Sequence, residues 1–308
     1  MNVDKKRNGE GIEYNGLLWK IYQGVLVPDV APHEKVNLPK QDAIKLIKRT
    51  KAYFIRWTTD FDSKTKYPFW YVIKDEGEDG DLKKYPSKIR SEIRRGLRNN
   101  NVELVSSVSE NLISQLYEVY LNAFRRYKVL YVKPLTFEVF RRNIITYNKG
   151  DIWIVTNKQT NKIVAYCLTE EKVTRNGSVV NYSVIKLHPD YLKGYPSYAL
   201  VYEMNRYYLN EKNALYVHDG TRSLGHETNV HDWLMKKFKF RKAYVQLHVE
   251  YRNDVFYIVK VLYPLRKIFY KLESKNSFAK KITILLRHED IKQECEKILR
   301  NNRTISDF

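Results

Sequence analysis

The stretch ALYVHDGTRSLGHETNVHDWLMKKFKFRKAYVQLHVE (Ala214–Glu250) decides the fold more clearly than any other part of the sequence. It opens with the apolar run Leu215–His218, which predicts a short strand, and continues into the polar run Asp219–Asn229. Apolar residues recur at helical spacing over Asn229–Phe238, and an alternating pattern over Ala243–Tyr251 predicts a last strand. The stretch therefore predicts a strand, a polar loop, a helix and a strand.

The residues before this stretch add further helices and strands. A helix is expected to begin at Pro86, because Pro and Ser favour helix starts and Ile89 and Ile93 recur on one face. The other predicted elements are a strand at Val102–Val108, helices at Glu110–Tyr127 and Thr136–Asn148, strands at Asp151–Thr156, Lys162–Thr169 and Val179–Leu187, and a helix at Tyr198–Leu209. This order predicts the α/β class, with a mixed, mainly antiparallel sheet flanked by helices.

We expect three segments in the chain: an appended N-terminal layer at residues 1–85, the core at residues 86–255, and a basic helical tail at residues 256–308. The N-terminal layer contains aromatic strand candidates at Tyr53–Trp57 and Phe69–Ile73. The tail mixes apolar residues with many Lys and Arg, which is typical of a helix that docks on its domain or lies on an anionic bilayer.

The composition limits the class of protein. Hydrophobic residues make up 43% of the 308 residues, which is enough for a globular core. The polar first residues lack the apolar run of a signal peptide, and Val255–Leu265 is shorter than the roughly 20 apolar residues that span a membrane. Cys167 and Cys295 lack the paired spacing of a zinc knuckle, so no metal site is expected. We therefore expect a cytoplasmic protein, free or peripheral to the inner face of the membrane, without a transmembrane segment.

The charge favours polyanionic partners. The chain has 55 Lys and Arg against 35 Asp and Glu, a formal net charge of +20. Such a balance suits RNA, phosphorylated cofactors or an anionic membrane surface. Arg90, Arg94 and Arg98 form a stripe on the basic helix at residues 86–100, where they would neutralise RNA or lipid-linked phosphates. A solvated helix face is the structural alternative.

The succession of elements over Asn101–Tyr251 resembles the core of the GNAT (Gcn5-related N-acetyltransferase) superfamily. In that family the third antiparallel strand runs into a turn whose amides bind the acyl-CoA pyrophosphate at the start of the next helix. Here VIKLHP (Val184–Pro189) leads through DYLKGYPS (Asp190–Ser197) into the next predicted helix. A helix N-terminus is a suitable anion site. The resemblance implies cofactor-binding residues in this turn, namely Lys193, Gly194, Tyr195 and Ser197.

Three features are similar to the Fem-like branch of the superfamily: the basic helix at Ser87–Arg98, a small preceding layer, and a strand that ends in Asp219–Gly220. The usual Arg/Gln-x-x-Gly-x-Gly/Ala turn is absent, and Met235 and Lys239 stand where the family has a tyrosine acid and a glycine. Fem-type enzymes transfer aminoacyl groups from charged tRNA to a cell-wall precursor, whereas other branches use acyl-CoA. The resemblance implies an N-acyltransferase that uses acetyl-CoA, another acyl-CoA or aminoacyl-tRNA, and whose acceptor is a small-molecule amine, an amino sugar or a cell-envelope precursor.

The polar run after the strand at Leu215 holds the densest cluster of candidate site residues. Asp219 or His226 would accept the proton of an attacking amine, and Arg222 would hold a phosphate or carboxylate with two hydrogen bonds. Thr228 and Asn229 are expected to bind substrate. The structural alternative is a turn at the start of the run, a surface ion pair of the arginine, and a helix cap at the end of the run.

Lys186 and His188 form a second candidate pair, because alternate strand residues point to the same face. His188 would act as a base and Lys186 would bind substrate, although a buried, hydrogen-bonded histidine is the structural alternative. His231 and Asp232 are expected to face solvent on the last helix of the core. The alternative function is a non-catalytic nucleic-acid or anionic-membrane binding protein on the same scaffold, which the charge and the missing coenzyme A turn favour.

Overall fold

A computed structural model of the chain describes residues 11–126, 133–225 and 229–306. The strands are β1 (Gly11–Tyr14), β2 (Leu17–Tyr22), β3 (Val25–Pro28), β4 (Phe54–Thr59), β5 (Phe69–Lys74), β6 (Asn100–Leu104), β7 (Ile152–Asn157), β8 (Ile163–Thr174), β9 (Gly177–Leu187), β10 (Tyr216–Thr221) and β11 (Arg241–Tyr251). The helices are α1 (Lys40–Arg49), α2 (Ser87–Asn99), α3 (Glu110–Phe124), α4 (Phe137–Ile145), α5 (Pro196–Asn205), α6 (Val230–Phe238), α7 (Asn253–Leu262), α8 (Arg266–Leu272) and α9 (Ser277–Ser306). Shorter 3₁₀ helices cover Pro189–Gly194 and Tyr263–Leu265, and a π-helical turn covers Arg206–Glu211.

The chain forms two compact units. Unit 1 contains the described residues of Met1–Tyr71, Thr221–Thr228 and Lys242–Phe308, and unit 2 contains the described residues of Val72–Gly220 and Asn229–Arg241. The segment boundaries expected after residues 85 and 255 stay predictions.

The sheet of unit 1 has the strand order β1-β2-β3-β4-β11. Strands β3 and β4 are parallel, and the other neighbours are antiparallel. Two tight turns connect the first three strands at Asn15-Gly16 and Gln23-Gly24, where all four residues have positive φ and glycine makes that conformation accessible. Helix α1 buries Leu46 and Ile47 against this sheet in a core that includes Trp19. A second core of the unit lies between β11 and helices α7 and α9.

The sheet of unit 2 has the order β10-β9-β8-β7-β6. Neighbours from β6 to β9 are antiparallel, and β9 and β10 are parallel. Alternate residues of β7 serve different layers: Ile152 and Ile154 lie in the core under α3 and α4, whereas the Trp153 indole donates to the Tyr208 hydroxyl of the π-helical turn after α5. The mixed, mainly antiparallel sheet flanked by helices confirms the predicted fold class.

Most predicted elements between Pro86 and Tyr251 are present, with shifted ends. Strand β6 ends at Leu104 rather than at residue 108, because Ser109 caps α3 by accepting a hydrogen bond from the Leu112 amide. The predicted helix over Tyr198–Leu209 divides into α5 and the π-helical turn. Strands β1 to β3 were not predicted. Among the described residues, no helix is both long enough and apolar enough to cross a membrane.

Candidate active site

The candidate site lies in unit 2, where strands β9 and β10 part. Their parallel ladder consists of Tyr216 with Val179, Val217 with Val180, and His218 with Asn181. Beyond that point β9 runs to Leu187 and β10 to Thr221 without further pairing between them.

A β-bulge coincides with this divergence. Leu168 of β8 pairs with Val184 and Glu170 pairs with Asn181, so two residues of β9 stand against Thr169 alone. A bulge bends its strand and increases the local twist. Strand β9 therefore bends at the residue where its ladder with β10 ends, and the gap opens toward the C-terminal ends of the two strands. Ligands of α/β sheets commonly bind beyond such strand ends.

Asp219 and His231 form a polar pair at the end of β10. The His231 Nε2 lies 2.9 Å from the Asp219 carbonyl oxygen and 3.2 Å from its Oδ2, and the two side chains are only 15% and 13% exposed. Both partner atoms are acceptors, so Nε2 carries a proton and donates. The histidine fixes both the backbone and the carboxyl group of Asp219.

Burial and mutual contact change the pKa values of both side chains in this pair. Burial raises the pKa of Asp219, although the hydrogen bond and charge of His231 oppose that shift. Burial lowers the pKa of His231, but the hydrogen bonds and charge of Asp219 outweigh that and raise it overall. Burial raises the pKa values of Cys167 and Tyr182, and the Asp219 carboxylate adds to both shifts. The carboxylate is therefore within electrostatic reach of strands β8 and β9.

The neighbouring His218 is a neutral, structural residue. Burial lowers its pKa to about 3, so the ring is uncharged near neutral pH. Its Nδ1 accepts a hydrogen bond from the Gly220 amide at 3.2 Å. Gly220 has a φ of 72°, a conformation that glycine adopts without strain. These contacts shape the turn that presents Asp219.

The turn after β9 leads into α5 with an open helix N-terminus. His188 is 8% exposed, and its Nδ1 accepts from the Asp190 amide at 3.3 Å, so it caps the 3₁₀ helix. Tyr195 then adopts a left-handed conformation, and α5 starts with no side-chain cap on its first turn. A β-carbon added at Gly194 would meet nothing within 4 Å. Pro196 has no N–H, and the Tyr198 amide donates to the Tyr195 carbonyl. The turn thus leaves open space and the Ser197 amide for an anion.

Helix α2 packs tightly against this turn. A β-carbon at Gly96 would lie 2.7 Å from the Tyr195 carbonyl oxygen and 3.0 Å from the Ala199 amide nitrogen. The buried Asn100 side chain donates to the carbonyl oxygens of Gly96, at 2.8 Å, and Gly194, at 3.0 Å. Backbone contact and a shared hydrogen-bond donor therefore join α2 to the start of α5.

A basic cleft of about 820 Å³ lies between the exposed face of α2 and the turn. Its lining includes Arg90, Arg94, Arg95, Arg98 and Lys193, with Asp190 as the acidic residue. None of these five cations forms an ion pair within the described parts of the chain. Arg90 and Arg94 donate to backbone carbonyls, and Arg95 lies over the Tyr195 ring. The sequence predicted the basic stripe and the turn separately, and the structure places both on one cleft.

The other predicted site residues lie as follows. Arg222 belongs to unit 1, donates to the Pro68 carbonyl at 2.7 Å, and stacks over the Trp70 ring at 4.8 Å. Lys186 is half-buried on β9, and Ser197 is half-buried in the first turn of α5. Asn229 is exposed at the N-cap of α6 without a side-chain capping bond. His226 and Thr228 lie outside the described residues.

The prediction that His231 faces solvent is wrong, because its ring is mostly buried against Asp219. Asp232 is exposed as expected. No periodic pattern links residues 219 and 231, since their contact depends on how the first turn of α6 is oriented. Among the described residues, no group of His, Cys, Asp or Glu has the arrangement of a metal site.

Comparison with known proteins places the chain by fold. No protein-family model and no curated protein matches the sequence. FemX superposes with a TM-score of 0.51 at 12% identity, over 81% of this chain and 89% of FemX. The C-terminal domain of a protein assigned as a lysylphosphatidylglycerol synthetase, from Agrobacterium fabrum, gives 0.50 at 13% identity, over 83% and 89%. The predicted GNAT-like, Fem-like fold is confirmed.

Proposed function

We propose that the protein is an N-acyltransferase that moves an acyl or aminoacyl group from a phosphate-bearing donor to an amine. The observation that supports this most is the end of the β9–β10 ladder at Asn181 and His218, beside a bulge and directly before Asp219. The gap between the strands would provide a slot for an acyl group, next to the partly buried carboxyl group of Asp219. Slot and base thus occupy the same end of the sheet.

The donor's phosphates would bind in the basic cleft. The Ser197 amide at the start of α5, the helix dipole and the open space at Gly194 fit an anion. Lys193 and the arginines of α2 would add charge without first breaking an ion pair. Coenzyme A and the acceptor end of a charged tRNA share this phosphate chemistry, and either would supply an activated acyl carbonyl carbon.

Asp219 would act as the general base for the amine. Its raised pKa makes it a stronger base than an exposed aspartate, while it remains ionised above that pKa. His231 would hold the carboxylate in place through its Nε2 proton. The attacking amine would lose a proton to Asp219 as its nitrogen bonds to the carbonyl carbon. The bond from that carbon to the donor would then break, and the donor would leave as the thiolate of coenzyme A or as a ribose hydroxyl that takes the proton back from Asp219. Strand amides would polarise the carbonyl oxygen.

The acceptor is proposed to be an amino sugar or a cell-envelope precursor, because the Fem-like resemblance implies such amines. Arg222 and Lys186 stay candidates for acceptor binding, as do Thr228 and Asn229. His188 is less suited to catalysis than Asp219, because its Nδ1 already accepts the Asp190 amide.

Thermal denaturation with candidate donors tests the proposal. Acetyl-CoA, longer acyl-CoA thioesters and aminoacyl-tRNA would each be added at about 100 times their dissociation constant, where binding stabilises the native state by about 2.7 kcal/mol. We expect one donor class to raise the melting temperature, and Arg94→Gln/Arg98→Gln to reduce that rise. Arg175→Gln, an exposed arginine on the β8–β9 turn, is the control. If neither donor class changes the melting temperature, the transferase proposal fails.

A further inference from the structure

A helical segment in unit 1 has one face fixed to the core and another left uncovered. It runs over residues 253–272 and consists of α7, a 3₁₀ turn and α8. On its inner face, Val255 and Val259 are buried in a core that includes Leu286 of α9. Phe269 packs against the same core. The inner face of the segment is therefore buried in the core of unit 1.

Asp290 of α9 fixes the rotation of this segment. Its Oδ1 accepts from the Tyr263 hydroxyl at 2.7 Å and forms an ion pair with Arg266, whose Nε lies 3.0 Å away. Its other oxygen accepts from the Tyr270 hydroxyl. Two hydroxyl donors and one cation on one side of the segment contact the same carboxylate, so the opposite side must point away from α9.

The opposite side presents an apolar stripe to solvent. Its members are exposed by 43% to 69%, and they are Tyr257, Val261, Leu265, Ile268 and Leu272. A step of four residues places Tyr257 and Val261 on one side of α7, and the same step places Ile268 and Leu272 on one side of α8. Contiguous apolar surface of this kind on a soluble domain usually marks an interaction site.

A row of lysines borders the stripe. Lys260, Lys267, Lys271 and Lys275 are exposed and form no ion pair within the described residues. Asp254 of the segment pairs with Arg252, and Glu273, directly after the segment, pairs with Arg287 of α9, so neither carboxylate offsets the charge of the lysines. The uncovered face is therefore both apolar and strongly cationic.

We propose that this face binds the surface of an anionic lipid bilayer. The segment would lie in the plane of the interface, with the stripe from Tyr257 to Leu272 at the boundary of headgroups and acyl chains. The lysines would contact anionic headgroups. A second copy of the chain is a poorer occupant, because a two-fold interface would bring the two lysine rows together. The proposal is independent of the transferase reaction.

Vesicle flotation of the full chain tests it. Binding would be measured with vesicles of phosphatidylcholine alone and with 30% phosphatidylglycerol, across a salt series. A Lys267→Gln/Lys271→Gln variant should bind anionic vesicles about 25-fold more weakly, since each lysine near the surface contributes about fivefold. Val261→Glu should abolish binding. Both variants should keep the melting temperature, because the substituted side chains are exposed.

Two controls separate this face from general cationic attraction. Lys64→Gln/Lys66→Gln makes the same charge change at exposed positions of unit 1 and should bind like the wild type. Arg94→Gln/Arg98→Gln removes two positive charges from α2 and should also retain vesicle binding. Equal losses in all three double variants would overturn the proposal. So would an absence of vesicle binding by the wild type, or a dimer that Val261→Glu converts to a monomer without any lipid effect.

Discussion

Replacing Gly96 by alanine tests the junction between α2 and the start of α5. The new methyl group would lie 2.7 Å from the Tyr195 carbonyl oxygen and 3.0 Å from the Ala199 amide nitrogen. Both are backbone atoms and cannot rotate away, so the two helices must move apart. Overpacking of this kind costs about 1–3 kcal/mol, and stretching the buried hydrogen bonds of Asn100 costs about 1 kcal/mol more.

A competing effect has the opposite sign. Alanine is a better helix former than glycine by about 1 kcal/mol, so the net loss for Gly96→Ala should be about 1–3 kcal/mol. In a chain of this size, that loss lowers the melting temperature by roughly 1.5–5 °C. Calorimetry would measure it, with Ser91→Ala on the exposed face of the same helix as control. A Gly96→Ala protein as stable as the wild type, or more stable, would show that helix propensity dominates and that the junction is not tight.

Three further predictions follow from the titratable and charged groups. Burial and then the charge of Arg56 lower the pKa of His288 to about 3. Below about pH 6.5 the unfolded chain therefore binds a proton that the folded chain does not, and the wild type loses stability as the pH falls. In urea denaturation, His288→Gln should reduce the loss of unfolding free energy between pH 7 and pH 5 by about 2 kcal/mol. Arg94→Gln/Arg98→Gln should lower the salt dependence of donor binding by about two counterions, measured as the slope of log affinity against log salt. His231→Gln should move the acidic limb of the kcat/KM profile up by about 1–3 pH units, because Asp219 loses its cationic partner; an unchanged profile would exclude this pairing from catalysis.

Local sequence patterns predicted the elements of unit 2 well, because each depends on neighbours in the chain. Pro86 and the apolar spacing after it predicted α2, and the buried side chains of Ile89 and Ile93 agree with that pattern. The three antiparallel strands before α5 were also predicted. The unpredicted strands β1 to β3 had a usable signal, since Asn15-Gly16 is a strong hairpin turn.

Local sequence patterns could not predict how the residues of the site are arranged. The cleft joins α2 to a turn about a hundred residues later, and their contact depends on the absent side chain of Gly96 and on the bridging amide of Asn100. The pairing of His231 with Asp219 likewise depends on tertiary packing of α6. The bulge beside Thr169 follows from strand register, which is fixed only when the sheet assembles.

The most direct test of the proposed reaction is acyl transfer by the Asp219→Asn variant. The donor that stabilises the wild type would be assayed with a panel of amines that includes amino sugars and cell-envelope precursors, and kcat/KM would be measured across pH. We predict that Asp219→Asn lowers kcat/KM by about 10²–10⁴-fold at unchanged donor affinity, because the general base is removed. The control Asp232→Asn should react at the wild-type rate, because this carboxyl group is exposed on the same helix as His231. Wild-type transfer by Asp219→Asn would contradict the assignment of the base and of the site at the end of β10.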